Sequence, residues 1–394
     1  MSATTPASPP APTYDARRTS WWAVSSLGLG VFTLVTAEFL PASLLSRLAD
    51  DLEVSEGVAG QTVTATAVMG ALTAPTLAAL LPRVDRRTVM LGLTGLSIVS
   101  NLLVAVAPGY ITVLLARLLL GITIAGFWAM ALAVASQLVP TERLGRAMMA
   151  VNMGVPAATV LAVPVGAYLG EIWGWRWVFV AAAGIGVVAL VAQAVTLPSV
   201  PPAASASLST LWGTLRSPLV VLGLLGTALV AGGHFAGFTY LRPAVETVAG
   251  LGPEGLAVLL SAYGVASFFG NLATGYLADR RLRLLVLLAP TLIGVAAVLL
   301  ALAGATFDVA LTAVALWGLA FGAVPTATQT WMARVAPNRL ESIGGLLVAT
   351  FQVAIALGAA VGGLLVDVAG VHTALVAGGL TAVFGGVLLG FRRV

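Results

Sequence analysis

Gly275-Tyr276-Leu277-Ala278-Asp279-Arg280-Arg281-Leu282-Arg283 is a charged knot between two uncharged apolar blocks, 255–278 and 284–304, and its reading decides the fold. A glycine here lets neighbouring helices approach closely. An aspartate at a helix end, beside several arginines, makes contacts that can break and remake. Each flanking block is long enough to cross a bilayer, which takes about 20 residues at a rise of 1.5 Å. Working outward, apolar blocks joined by short connections cover the chain: 21–45, 58–81, 88–107, 111–138, 146–170, 175–197, 218–243, 255–278, 284–304, 309–333, 343–366 and 371–391. The expectation is an all-α membrane protein of twelve transmembrane helices.

Composition supports the same class. Of 394 residues, 59% are hydrophobic and 9% charged, against about 25% charged in soluble domains. The absence of cysteine removes disulfides, thiolate catalysis and cysteine metal sites. His234 and His372 lie far apart, and no metalloprotease motif or phosphate-cradling loop is present. No cofactor or metal is expected. The net charge of +4 comes from arginines in the connections, not from a basic stripe with interleaved aromatics, so no nucleic-acid partner is expected. Residues 1–20, rich in Pro, Ala, Ser and Thr, read as a disordered tail. They contain no apolar segment ending in a cleavage site, so no cleaved signal is expected.

All 19 basic residues are arginine. They concentrate in the connections that share a face with the N-terminus, while Arg47, Arg176 and Arg242 alone mark the other face. By the positive-inside rule both termini are cytoplasmic, and so is the tail. The chain also repeats. Asp85-Arg86-Arg87 closes the second span as Asp279-Arg280-Arg281 closes the eighth. Gly121 and Pro140 bracket the fourth span as Gly318 and Pro337 bracket the tenth, with the same spacing. This predicts two six-helix halves, 21–197 and 218–394, joined by a cytoplasmic linker at 198–217. Halves of equal topology place a substrate site near the midplane between them.

Glu38 is the one acidic residue well inside a span, and an intramembrane carboxylate is a functional-site candidate by default. Arg117, in the fourth span, lies at a similar depth of roughly 10 Å from the same face. The pair is expected to form an ion pair or to exchange partners during transport; a static structural salt bridge is the plainer alternative. Asp85 and Arg86, with Gly275, Asp279 and Arg280, are expected to act as gating elements, the first set weaker because its glycine is missing. Candidate substrate-contacting residues are Phe127, Trp128, Asn152, His234, Phe235, Tyr240, Gln329 and Gln352, with Trp317 and Trp331 beside them. Aromatic faces can stack on a planar ligand, while amides and histidine read its hydrogen-bonding edge. For each, core packing is the plainer alternative. His234 is either a proton carrier or a buried histidine satisfied by a helix carbonyl.

The 275–283 stretch matches the G-x-L-A-D-R-x-x-R signature of the major facilitator superfamily, and the twelve-span plan resembles that family over essentially residues 20–394. Within it, Glu38-Phe39-Leu40-Pro41, Ser55-Glu56-Gly57, Gly126-Phe127-Trp128-Ala129-Met130, Gly174-Trp175-Arg176 and Phe238-Thr239-Tyr240-Leu241-Arg242-Pro243 resemble the drug:proton antiporter-1 branch, and there the bacterial purine ribonucleoside efflux pumps. The resemblance implies the major facilitator fold, a bacterial inner membrane, and proton-driven export of purine nucleosides or analogues by a monomer in the lipid bilayer. It also implies proton coupling at Glu38 and Arg117 and a gate at Asp279 and Arg280. Val163 departs from the pattern, standing where the antiporter segment of span five has glycine. A broad drug or sugar exporter is the alternative on the same fold, and a non-transport membrane sensor the alternative outside it. No nucleophile–base or metal-ligand cluster marks an enzyme.

Overall fold

The computed structural model describes residues 20–202, 208–245 and 253–391. The expected tail over 1–20, apart from Ser20, lies outside the described residues, as do the linker positions 203–207 and the side chains of Val163, Pro164 and Arg242. Among the described residues every regular element is helical, and eleven helices are long and apolar enough to cross a membrane. One of these, Pro253–Ala303, has 51 residues. Straight, it would measure about 77 Å, far more than a bilayer core of about 30 Å. It bends at Arg281, whose φ of −132° and ψ of 38° are not helical. The chain therefore crosses twelve times.

We number the crossing helices α1 (Trp21–Ser43), α2 (Glu56–Leu80), α3 (Arg86–Ala105), α4 (Tyr110–Leu138), α5 (144–173), α6 (Trp175–Thr196), α7 (Pro218–Phe238), α8 (253–280), α9 (282–303), α10 (Phe307–Val335), α11 (Leu340–Ala369) and α12 (Val371–Gly390). The charged knot at 279–283, expected as a loop, is instead a kink within one long helix. The kink frees the last carbonyls of α8, and Arg334 of α10 donates Nη2 to those of Ala278 and Asp279, at 2.9 and 3.0 Å. A half-buried guanidinium thus does what a loop would otherwise require.

Two other elements differ from the sequence expectation. α1 ends at Ser43, and Leu45–Asp51 forms a separate short helix. α5 is interrupted by a π-turn at Ala158–Ala162, just before Pro164, a common site for such an irregularity because proline withholds an amide from the helix ladder. The linker carries a helix of its own, Leu208–Leu215.

Helix pairings in the first six spans recur in the last six: α1 on α6 as α7 on α12, α2 on α4 as α8 on α10, and α3 on α6 as α9 on α12. Two six-helix halves result. They meet where α11 packs on α2 and α4, and where α5 packs on α8 and α10. Twelve crossings return the chain to its starting side, so Ser20 and Phe391 share one membrane face, called here the terminal face.

Candidate functional site

Glu38 and Arg117 do come together, but not as an ion pair. Arg117 is fully buried, and its Nη1 donates to the carbonyl of Ala37 at 2.8 Å, with Nη2 3.3 Å from that of Glu38. The cause lies in the sequence. Pro41 sits inside α1, and without an amide N–H it leaves the carbonyl four residues earlier, Ala37, without its helical partner. Arg117 fills that vacancy. The half-buried Glu38 carboxylate is in no ion pair among the described residues, although the guanidinium is close enough for its charge to act on it. The expected Glu38–Arg117 salt bridge is thereby corrected: the arginine is committed to the backbone of the bent helix.

The corresponding place in the second half is aromatic. His234 of α7 accepts a hydrogen bond at Nδ1 from Trp317 Nε1 of α10, 2.9 Å away. One of its two nitrogens is thus engaged by an indole, where the sequence reading offered a helix carbonyl. Phe321 stacks on its ring, Phe235 meets it edge-on, and Phe238 lies nearly parallel. Tyr263 joins from α8. Phe238, Tyr263 and Phe321 are absent from the sequence-derived candidates. The spacing of 234 and 235 from 238 in one helix, and of 317 from 321 in another, is one helical turn in each case and is the signal that groups them.

Between the halves lies an amide-rich seam. Asn152 Nδ2 of α5 donates to Thr326 Oγ1 at 2.7 Å and to Gln329 Oε1 at 2.9 Å, both on α10. Thr326 donates in turn to Asn271 Oδ1 of α8, and Asn271 Nδ2 reaches back to the Met149 carbonyl of α5. The candidates Asn152 and Gln329 are therefore brought together as a bridge joining the halves. Gln352 of α11 lies opposite Gly70 of α2 on the same seam.

At the terminal face the two charged motifs work differently. Asp279 Oδ1 accepts from the Gly145 amide at 2.8 Å, in the first turn of α5, where the helix dipole favours an anion. Its Oδ2 is 3.4 Å from Arg146 Nε. Arg86, fully buried, forms a two-pronged pair with Glu341 at the start of α11, both bonds 2.6 Å, and also donates Nη1 to the Leu81 and Val84 carbonyls. Asp85 faces its own half: it caps α3 through the Arg87 amide and accepts from Ser199 Oγ and the Val200 amide. Burial alone would raise its carboxyl, but hydrogen bonds from Ser199 and the Val200, Arg87 and Thr88 amides hold it below the usual carboxylate range. Of the two residues named as a first-half gating element, Asp85 thus contacts its own half, whereas Arg86 reaches across to Glu341. Arg280 is exposed. Gly275 packs against Met149 of α5.

Sequence reasoning missed Glu341. Its position follows Arg339 by two residues, as Gly145 follows Arg143 in the equivalent connection. One half offers an amide to a carboxylate and the other a carboxylate to a guanidinium.

Other candidates lie away from the seam. Phe127 is fully enclosed within the first half, beside Gly30. Trp128 is half-buried against that half's core. Tyr240 donates to the Ala359 carbonyl of α11 within the second half. Toward the face opposite the termini, the ion pairs among the described residues, Arg47–Glu171 and Arg176–Asp51, each stay inside one half. Every side-chain hydrogen bond or ion pair between halves among the described residues runs from the Asn152 level to the terminal face.

The Major Facilitator Superfamily profile matches residues 27–358. The purine ribonucleoside efflux pump NepI of Escherichia coli (strain K12) is 36% identical over 362 residues, covering 92% of this chain and 91% of that protein. The transcription regulatory protein OpdE of Pseudomonas aeruginosa is 37% identical over 352 residues, covering 88% of each. Among solved structures, the chain superposes on the transporter FucP in its outward conformation with a TM-score of 0.80, at 16% identity and covering 96% of this chain and 100% of that one. It superposes on the human organic anion transporter MFSD10 with a TM-score of 0.76, at 18% identity and covering 94% and 99%. The repeated six-helix halves, the charged contacts at one face and the profile match agree: the chain belongs to the Major Facilitator Superfamily and is a multi-pass membrane transporter of small molecules.

Proposed function

We propose that this transporter exports purine ribonucleosides or close analogues in exchange for protons, by rocking its two halves about a site near the midplane. The observation that carries the coupling is Glu38, an intramembrane carboxylate with no ion-pair partner among the described residues because Arg117 is occupied by the carbonyls of Glu38 itself and of Ala37, which Pro41 sets free. Such a group can take up and release a proton as its surroundings change. The nucleoside substrate is supported by the relatives named for that activity, which span almost the whole chain. With the arginine-rich terminal face cytoplasmic, the contacts between halves close the cytoplasmic side, and Glu38 lies nearer the outer side, roughly 8 Å along α1 from Ser43. The Arg86–Glu341 pair and the Asp279–Gly145–Arg146 cluster serve as the cytoplasmic gate.

One elementary charge moving through 100 mV releases about 2.3 kcal/mol, roughly a fiftyfold gradient, so one proton per cycle supports appreciable export. The test is flux in liposomes carrying a pH-sensitive dye. Inosine or guanosine is expected to drive proton movement in the wild type; Glu38→Gln is expected to lose it while retaining inosine counterflow. Uphill transport surviving in Glu38→Gln sinks the coupling role. A response to chloramphenicol-like drugs or sugars alone replaces the substrate class. The absence of any flux favours the regulatory reading that the OpdE relative's name suggests.

A further inference from the structure

His234 lies roughly 24 Å along α7 from Pro218, and its ring is 1% exposed. Phe321 stacks on it with centroids 3.6 Å apart and planes 9° from parallel. Trp317 Nε1 donates to its Nδ1. An indole N–H can only donate, so Nδ1 must present its lone pair. The ring is consequently neutral with its proton on Nε2, and Nδ1 accepts no proton while the Trp317 bond lasts. The Nε2–H is enclosed, and it has no acceptor among the described residues. Because the two nitrogens lie on separate edges of the ring, this donor points away from Trp317. A buried donor left unpaired demands an explanation. The side chains around it supply one: Phe235, Phe238, Tyr263 and Phe321 are only partly buried, and their faces suit stacking on a flat ring.

Resting on the nucleoside reading above, we infer that His234 Nε2–H reads a hydrogen-bond acceptor on the base of the transported nucleoside, with Trp317 as the positioning residue that fixes its tautomer. The ligand chemistry this selects is a planar heteroaromatic ring with an oxo oxygen or an unprotonated ring nitrogen at the recognised edge. An analogue lacking that acceptor leaves the donor stranded. The two halves then divide the work: the second identifies the base, and Glu38 of the first handles the proton.

The experiment compares counterflow of inosine, 7-deazainosine and the 6-unsubstituted purine riboside in liposomes containing wild type, His234→Phe or Trp317→Phe. Wild type is expected to favour inosine over at least one analogue by about threefold to tenfold, the usual worth of one neutral hydrogen bond. His234→Phe keeps an aromatic ring in the stack and is expected to handle the three within a factor of about two. Trp317→Phe releases the tautomer and is expected to narrow the preference with transport retained. If His234→Phe does not fold, Trp317→Phe decides. An unchanged preference in the variants, or a wild type that does not distinguish the three, overturns the assignment. A folded wild type that moves none of them, while transporting another compound, overturns the nucleoside reading itself and this assignment with it.

Discussion

Arg117, Ala37 and Pro41 form a unit that separate inspection of any one residue would not suggest. Losing Arg117 leaves a buried carbonyl without a donor, at a cost of about 1–3 kcal/mol. Pro41→Ala returns an amide to the ladder, so Arg117→Met is expected to lower unfolding stability markedly in the wild-type background and less in Pro41→Ala. A double-mutant cycle by thermal or denaturant unfolding measures the difference, and strict additivity would show that the carbonyl is not the partner that matters. Asp85 supplies a pH dependence of known sign. Its folded carboxyl is held below the ordinary value of about 3.9, so its contribution to stability is complete above that value and is lost as pH falls through the lower folded one. Asp85→Asn is therefore expected to destabilise the protein at neutral pH and to flatten the acid limb of an unfolding-versus-pH curve below about pH 4. Glu38 and Arg117 were legible as candidates from sequence because ionisable residues inside spans are rare. Their actual relation was not legible, because backbone carbonyls compete for the same guanidinium.

Helices in this protein end, bend or touch where small residues and arginines permit. The closest approaches between halves run through glycines, and their neighbours set how much each can tolerate. A Cβ at Gly344 of α11 would meet the backbone carbonyl of Ala129 in α4, whereas one at Gly275 of α8 would meet the side chain of Met149 in α5. Methionine can move and a backbone cannot, so Gly344→Val is expected to weaken closure of the terminal face more than Gly275→Val. Overpacking costs typically about 1–3 kcal/mol. Thermal midpoints, with spin-label distances across the terminal face, would rank the two; the reverse order would place the tighter contact at α5–α8. The kink at Arg281 shows the same limit of sequence reading at this scale. Charge density marked a boundary between spans eight and nine, but a loop and a capped kink have the same composition, and Arg334, far along the chain, decides between them.

For the whole molecule the balance between open and closed states rests on few interactions. Breaking a buried ion pair by removing one partner costs about 3–5 kcal/mol, comparable to the few kcal/mol that separate alternative packings. Glu341→Gln is accordingly expected to shift the population toward a state open at the terminal face. The chain has no cysteine, so Ser342→Cys, at a buried position beside Glu341, reports this directly. Its maleimide labelling is expected to quicken roughly tenfold or more in the Glu341→Gln background. Equal rates in both backgrounds would mean that the Asp279 cluster and the amide bridge hold the face shut without it.

Sequence by itself determined the number of crossings, the internal repeat and the family, because each follows from hydropathy and local spacing, which a bilayer imposes on any helix that spans it. It also singled out Glu38, Arg86, His234 and Asp279 as unusual. Only the tertiary structure decided what these residues bind: Arg86 to Glu341, Arg117 to the Ala37 carbonyl, Asp279 to the Gly145 amide, and His234 to Trp317. The reason is that a donor or acceptor in a low-dielectric interior must find a partner wherever one is within reach. Which partner is in reach depends on how helices distant in sequence are packed.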